Sequence, residues 1–145
     1  MVDAHLGTGV GGWKWALVIR SLYGKGFQMF YPMMRERTED VYWASKHFVG
    51  TSSVDLLYTD EAKQLKRSAR MLGIPWDHSE PGQPKNNSIA EALGGVSTST
   101  IRACCVTAGF PACLWPFVGQ TAAVHRNAWQ YDGTSAHFER FYEEL

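Results

Sequence analysis

The stretch WKWALVIRSLYGKGFQMFYPM, residues 13–33, decides the fold class of this chain. Residues 13–23 are rich in aromatic and β-branched side chains, and residues 27–33 are again rich in aromatic ones, as sheet strands generally are. The sequence Gly-Lys-Gly between them, at residues 24–26, is typical of a turn. The stretch therefore predicts an antiparallel hairpin.

Further strands and helices alternate around this hairpin. A short strand is predicted before it, over residues 1–6. The elements predicted after it are a helix over 39–48, a buried strand over 53–60, an amphipathic helix over 61–72, a short strand over 74–78 and helices over about 87–108 and 112–130. This order predicts an α/β fold with helices on both faces of the sheet, and with the strand over 53–59 beside the first strand.

The composition of the chain argues against some classes of function. The 145 residues suffice for one domain, and 45% of them are hydrophobic and 19% charged, which is ordinary for a globular protein. Because the formal net charge is zero, binding to nucleic acid would require a local charged surface. The three cysteines and five histidines follow no zinc-ligand spacing, and no apolar run is long enough to span a membrane, so neither zinc nor a membrane is an expected partner.

Three carboxylates occupy positions where α/β proteins build active sites. Asp3 lies in the predicted first strand, Asp60 ends the strand over 53–60, and Glu91 lies near the start of the helix over 87–108. Carboxylates that converge repel one another unless a cation joins them, and sites made only of oxygen ligands suit Mg²⁺ or Mn²⁺. Each acid also has a simpler interpretation: Asp60 as a helix cap, Glu91 as a solvated helix residue and Asp3 as a surface residue.

The segments around these acids resemble the catalytic core of retroviral and retrotransposon integrases, the DDE family with a ribonuclease-H-like fold. The three segments are VDAHL at residues 2–6, TDEAKQL at 59–65 and LGIPWDHSEPGQPKNNSIAE at 72–91. The intervals of 56 residues between Asp3 and Asp60 and 30 residues between Asp60 and Glu91 are part of the same resemblance. The resemblance is also compatible with a fragment or a degenerate copy of such a domain.

The resemblance implies a fold, a reaction and a set of partners. The implied fold is a ribonuclease-H-like mixed sheet, an antiparallel hairpin followed by parallel strands, in a domain over residues 1–130 with an unassigned tail over 131–145. Asp3, Asp60 and Glu91 are implied to be catalytic residues and ligands of Mg²⁺ or Mn²⁺, in 3′-end processing and strand transfer of DNA. A retrotransposon polyprotein, a homo-oligomer and nuclear localisation are implied as well. Two alternatives stay open: a catalytically inactive relic that binds nucleic acid or protein, and a ribonuclease-H-like nuclease.

Candidate contacts to nucleic acid flank the proposed acids. On the helix over 61–72, four cationic residues repeat at helical spacing, namely Lys63, Lys66, Arg67 and Arg70. Such a stripe is typical of either a solvated helix face or a surface that contacts phosphates. The polar residues Lys85, Asn86 and Asn87 precede Glu91, and the resemblance implies that they touch the nucleic-acid backbone.

Overall fold

The structure of the chain, a computed structural model, describes residues 2–3, 6–59, 62–78 and 84–142; of residues 2, 3, 78, 84–90 and 131 it describes the backbone alone. The strands are β1 (Val2–Asp3), β2 (Trp15–Arg20), β3 (Gln28–Met33), β4 (Leu57–Thr59), β5 (Trp76–His78), β6 (Gln130–Tyr131) and β7 (Thr134–Ser135). The α-helices are α1 (Thr38–Val49), α2 (Lys63–Leu72), α3 (Pro84–Ala108), α4 (Trp115–Ala128) and α5 (Ala136–Tyr142), and a 3₁₀ turn (Ala112–Leu114) precedes α4.

The predicted hairpin is confirmed and forms the centre of the molecule. β2 and β3 pair antiparallel along their whole length, and β1 pairs antiparallel with the start of β2, so that Asp3 lies opposite Trp15. β4 and β5 form a parallel pair. The described strands therefore make the mixed arrangement that the sequence predicts. In the ladders of the described residues β4 pairs with β5 only, so the predicted placement of that strand beside β1 has no ladder there.

Side chains of the hairpin alternate between two helical layers because successive strand residues point to opposite faces. One buried cluster, on the side of α3 and α4, consists of Ala16, Phe30, Ile101, Cys105, Trp115 and Ala123. The other, on the side of α1 and α2, consists of Leu17, Met33, Val41, Ala44 and Leu65. Adjacent residues such as Ala16 and Leu17 thus serve different clusters. The prediction of helices on both faces is confirmed.

β4 is shorter and more exposed than the predicted buried strand over 53–60. Its ladder begins at Leu57, whose N–H donates to the carbonyl of Pro75 (2.8 Å), and only Thr59 within it is buried. Pro75 has no N–H to donate, so the parallel ladder cannot continue past it in that direction. Leu56, the residue before the strand, is about half exposed.

α3 is confirmed as a helix but begins at Pro84, three residues before its predicted start. Proline is favoured in the first turn of a helix because its missing N–H would have no partner there. Ser97, Ile101 and Cys105 lie four residues apart and are buried on one face of α3. This packing offsets the cost of interior glycines, which is roughly 1 kcal/mol each relative to alanine.

The glycine-rich segment 7–12 packs against the start of α4. Trp115 Nε1 donates to the carbonyl of Gly7 (3.0 Å), and the N–H of Val10 donates to the carbonyl of Cys113 (2.8 Å). A Cβ at Gly9 would lie 2.5 Å from Cγ of Pro116. Glycine is required there because the backbone approaches the α4 side chains too closely for any other residue.

The segment after α4, which the sequence left unassigned, folds onto the hairpin and α1. Arg140 Nη2 donates to the carbonyls of Phe48 (2.8 Å) and Val49 (3.0 Å) at the C-terminus of α1. Glu139 Oε2 accepts a hydrogen bond from the N–H of Lys25 in the β2–β3 turn (2.6 Å). Phe141 packs edge-on against Phe27, with ring centroids 5.6 Å apart. These contacts hold β6, β7 and α5 against the rest of the described chain.

Candidate functional site

The proposed site lies at the carboxyl ends of the parallel strands. β4 and β5 run side by side, with Thr59 opposite His78 at their ends. Asp60 follows Thr59 in the sequence and lies outside the described residues. Parallel strands bring whatever follows them to one edge of a sheet, which is where open α/β folds bind ligands.

Glu91 and Asp3 are carried by two elements in contact. Glu91 lies in the eighth position of α3 and is exposed. α3 packs against β1 and β2, and β1 carries Asp3, of which the backbone alone is described. The structure therefore brings together the helix and the strand that carry two of the three predicted acids.

The donor atoms of the three predicted ligands indicate which metal ions they would bind. Its members are three carboxylates, which are hard oxygen ligands and fit Mg²⁺ or Mn²⁺ better than zinc. Among the side chains that the structure describes, no group of three His, Cys, Asp or Glu residues could hold a metal ion. Asp60 and the side chain of Asp3 are not among those side chains, so the predicted triad was not part of that set.

Asp77 is a second acid at this edge that the sequence interpretation did not single out. It lies on β5 directly opposite Tyr58 of β4. Desolvation, then the charge of the Asp77 carboxylate and its hydrogen bond, raise the pKa of the Tyr58 hydroxyl. The sequence shows only that Asp77 is an acid in a short predicted strand, IPWDH. Its pairing with Tyr58 depends on the register of two strands that are separated by a helix.

The basic stripe is a surface feature of α2 that begins three residues after Asp60. Lys63, Arg67 and Arg70 are exposed along one face of the helix. Lys66 is partly buried, and its Nζ lies 4.4 Å from the centroid of the Trp76 ring, within range of a cation–π contact. Lys66 is thus held against β5, whereas the other three cations of the stripe project into solvent.

The remaining predicted contacts, Lys85, Asn86 and Asn87, lie in the first turn of α3 rather than in a loop. The N-terminus of a helix presents unpaired backbone N–H groups and favours anions. Their side chains lie outside the described part of the structure. The predicted contact with a phosphate backbone stays a prediction for these three residues.

Comparison with known proteins bears on the fold. No protein-family description matches the sequence, and no curated protein matches it significantly. A solved structure, the crystal structure of the catalytic core domain of BIV integrase, superposes with a TM-score of 0.56 over 86% of this chain and 85% of that chain. This chain has an integrase catalytic-core fold.

The likeness to the BIV integrase core concerns the fold, because the two sequences are 14% identical. It confirms the predicted ribonuclease-H-like α/β class and agrees with the sequence resemblance at the level of the backbone. Within the described residues, no helix of this integrase-like fold has the length and hydrophobicity that a membrane span requires.

Proposed function

We propose that this chain is an integrase-type polynucleotidyl transferase domain of a retrotransposon polyprotein, which processes DNA 3′ ends and joins them to a target. One observation carries the proposal: the backbone is like an integrase catalytic core, and the acids of the three integrase-like motifs fall in β1, directly after β4 and on α3. The overall identity to that core is 14%, so the short motifs around the acids add to what the backbone indicates.

In this proposal Asp3, Asp60 and Glu91 together bind Mg²⁺ or Mn²⁺. Bound divalent cations would neutralise the charge that develops on the attacking and leaving oxygens of an in-line phosphoryl displacement. The three acids would be held by a strand, a strand end and a helix. The distances between them would therefore be set by the fold. The exposed cations of α2 would contact phosphates that flank the reacting one.

Glu91→Gln tests the proposal. A neutral amide is a poor ligand for a hard cation, so we expect the variant to lose Mg²⁺-dependent strand transfer. Its thermal melt should match the wild type, because Glu91 is exposed. The matched control is Glu39→Gln, an exposed acid in the first turn of α1, which should retain strand transfer.

A Glu91→Gln variant that melts normally and joins DNA ends at the wild-type rate would remove Glu91 from the site. Asp60→Asn, followed by calorimetry with Mg²⁺, tests the second acid in the same way. Equal Mg²⁺ binding by the wild type and this variant would remove Asp60.

A second function, nucleic-acid binding without catalysis, is favoured by one separate observation. The exposed cations of α2 form a surface that requires none of the three acids. Wild-type protein that binds duplex DNA but shows no strand transfer with either Mg²⁺ or Mn²⁺ would support this function over the first. Both functions include a homo-oligomer in the nucleus, which sedimentation and localisation of a tagged chain would test.

A further inference from the structure

The parallel pair of β4 and β5 has two different faces. Leu57 and Thr59 of β4 share a face with Trp76 of β5, because alternate residues of a strand point to the same side and paired residues of a parallel ladder do as well. Thr59 is buried on this face, and the ring of Trp76 lies against Lys66 of α2. This face of the pair is therefore the one that packs toward α2.

The opposite face of the pair carries Tyr58 and Asp77. They are directly opposite each other, at the central position of the ladder. Tyr58 is partly exposed and Asp77 is exposed. The face that bears them is therefore open to solvent, on the side of the strands that does not pack on α2.

The side chains of Tyr58 and Asp77 are in contact across the two strands. Neighbouring strands lie about 4.8 Å apart, so the side chains of paired residues on one face are within reach of each other. Desolvation first, and then the charge of Asp77 and a hydrogen bond to it, raise the pKa of the Tyr58 hydroxyl. A carboxylate can only accept, so the hydroxyl is the donor. The register of the strands and the hydrogen bond agree on this contact.

This contact is specific to one register of a short ladder. β4 and β5 pair over three residues each, and Pro75 stops the ladder at one end. A slip by one residue would move the side chains of a strand to its other face. The Tyr58 hydroxyl would then leave Asp77, and the buried Thr59 would turn to solvent. The hydrogen bond therefore stabilises the observed register over a neighbouring one.

The alignment of β4 with β5 bears on two of the proposed metal ligands. Asp60, outside the described residues, comes two positions after Tyr58 in the sequence, which is the spacing of residues that share a strand face. The next element after β5 is α3, which carries Glu91. A metal site that uses both acids therefore depends in part on how the carboxyl ends of β4 and β5 are aligned.

We propose that Tyr58 and Asp77 are positioning residues of the proposed integrase-type site. Their hydrogen bond holds the carboxyl ends of β4 and β5 in register, so that Asp60 and Glu91 bind Mg²⁺ without a rearrangement of the strands. Neither Tyr58 nor Asp77 touches the metal or the DNA. This inference rests on the proposed function, and it adds to it two residues that hold the ligands in place.

A direct role of Asp77 as a metal ligand is the competing explanation. Its carboxylate is exposed, and carboxylate oxygens are ligands that Mg²⁺ prefers. The hydrogen bond from Tyr58 favours the positioning role, because it directs the Asp77 carboxylate toward β4. The two roles predict different results for Asp77→Asn, since a neutral amide is a poor ligand for a hard cation but its carbonyl oxygen still accepts a hydrogen bond.

The test measures Mg²⁺ affinity by calorimetry in the absence of DNA, and the kinetics of Mg²⁺-dependent strand transfer. Tyr58→Phe removes the hydroxyl and keeps the ring. It should weaken Mg²⁺ binding by about threefold or more and lower kcat, with the KM for DNA unchanged. Asp77→Leu should have the same effect, whereas Asp77→Asn, which keeps an acceptor, should stay within about twofold of the wild type.

Matched controls make the same chemical changes elsewhere. Tyr23→Phe and Asp55→Leu, at exposed positions outside the β4–β5 ladder, should leave the Mg²⁺ affinity and kcat at wild-type values. The double variant of Tyr58→Phe with Asp77→Leu should be no worse than either single variant, because both remove the same hydrogen bond. Circular dichroism melts establish that each variant folds, and Tyr58→Phe with Asp77→Asn suffices if Asp77→Leu does not fold.

Three results would overturn the positioning role and leave the proposed function standing. Tyr58→Phe binds Mg²⁺ and joins DNA ends as an active wild type does. Asp77→Asn loses Mg²⁺ binding as fully as Asp60→Asn while Tyr58→Phe retains it, which makes Asp77 a metal ligand. The effects of the two single variants add in the double variant, which shows that the residues act separately. A wild-type chain that binds no Mg²⁺ would contradict the proposed function, and the positioning role with it.

Discussion

At the scale of single residues, Tyr31 lies where the sheet packs against α1, and its pKa depends on that packing. Its Oη lies 2.9 Å from Nδ1 of His47 on α1 and donates to Sδ of Met29 (3.2 Å). Burial raises the pKa of Tyr31 to about 12. The folded state therefore holds the phenolic proton more tightly than the unfolded chain, in which a tyrosine titrates near pH 10.

Tyr31→Phe should remove a pH dependence of stability. Because the folded pKa is the higher one, the contribution of Tyr31 to the unfolding free energy is fully present below about pH 10 and is lost as pH rises from there to about 12. Urea unfolding at pH 9 and pH 11 measures the change, and absorbance at 295 nm should lose its latest transition in the variant. Tyr23→Phe, at an exposed position, is the control; the same loss of slope in both variants would contradict the prediction.

At the scale of elements, α4 approaches the hairpin closely through Gly119. A Cβ at Gly119 would overlap the ring of Phe30, which itself packs edge-on against Trp115 at 6.1 Å between centroids. Gly95 of α3 differs, because a Cβ there would meet no atom within 4 Å. The two glycines occupy helix interiors for different reasons, one for packing and the other without a packing requirement.

Alanine at these two positions should change stability in opposite directions. Gly95→Ala should stabilise the protein by about 0.5–1 kcal/mol, because alanine restricts the unfolded chain and favours the helix. Gly119→Ala has the same local benefit, but overpacking against Phe30 costs about 1–3 kcal/mol, so net destabilisation is expected. Denaturant unfolding of both variants checks the sign. Stabilisation by Gly119→Ala would show that the Phe30 ring moves aside without cost.

Some elements of the fold could be predicted from the local sequence, and others could not. The hairpin was predictable because its strand composition and its Gly-Lys-Gly turn agree with each other. The extent of β4 was not, because Pro75, the residue before β5, ends its ladder. The fold of residues 130–142 was not either, because Arg140 holds that segment through backbone carbonyls of α1, which leave no trace in the sequence pattern.

Some residues of the candidate site could also be predicted from the sequence, and others could not. Asp60 and Glu91 could be singled out because short motifs surround them. The pairing of Asp77 with Tyr58 required the register of β4 against β5. Contacts between elements distant in sequence depend on tertiary structure, to which hydrophobic periodicity gives no access.

At the scale of the whole molecule, the sheet separates a basic surface from an apolar one. α2, with its basic stripe, belongs to the layer on one face, and an apolar groove between α3 and α4, lined by Ala108, Phe117 and Ala122 among others, lies on the other. The chain is neutral overall, so the basic stripe of α2 is a local accumulation of cations rather than a consequence of net charge.

The basic stripe of α2 can be tested by the salt dependence of DNA binding. If Lys63 and Arg67 bind phosphates, their simultaneous change to Glu should weaken binding to duplex DNA and reduce the slope of log K against log salt by about 0.9 for each phosphate that is no longer neutralised. Both residues are exposed, so the protein should melt as the wild type does. A matched control changes Arg35 and Arg37, which are exposed near the start of α1, to Glu. The control reverses as much charge, and only the direct binding of phosphates distinguishes the two variants. Equal slopes in the α2 variant and the wild type would reduce the stripe to a solvated helix face.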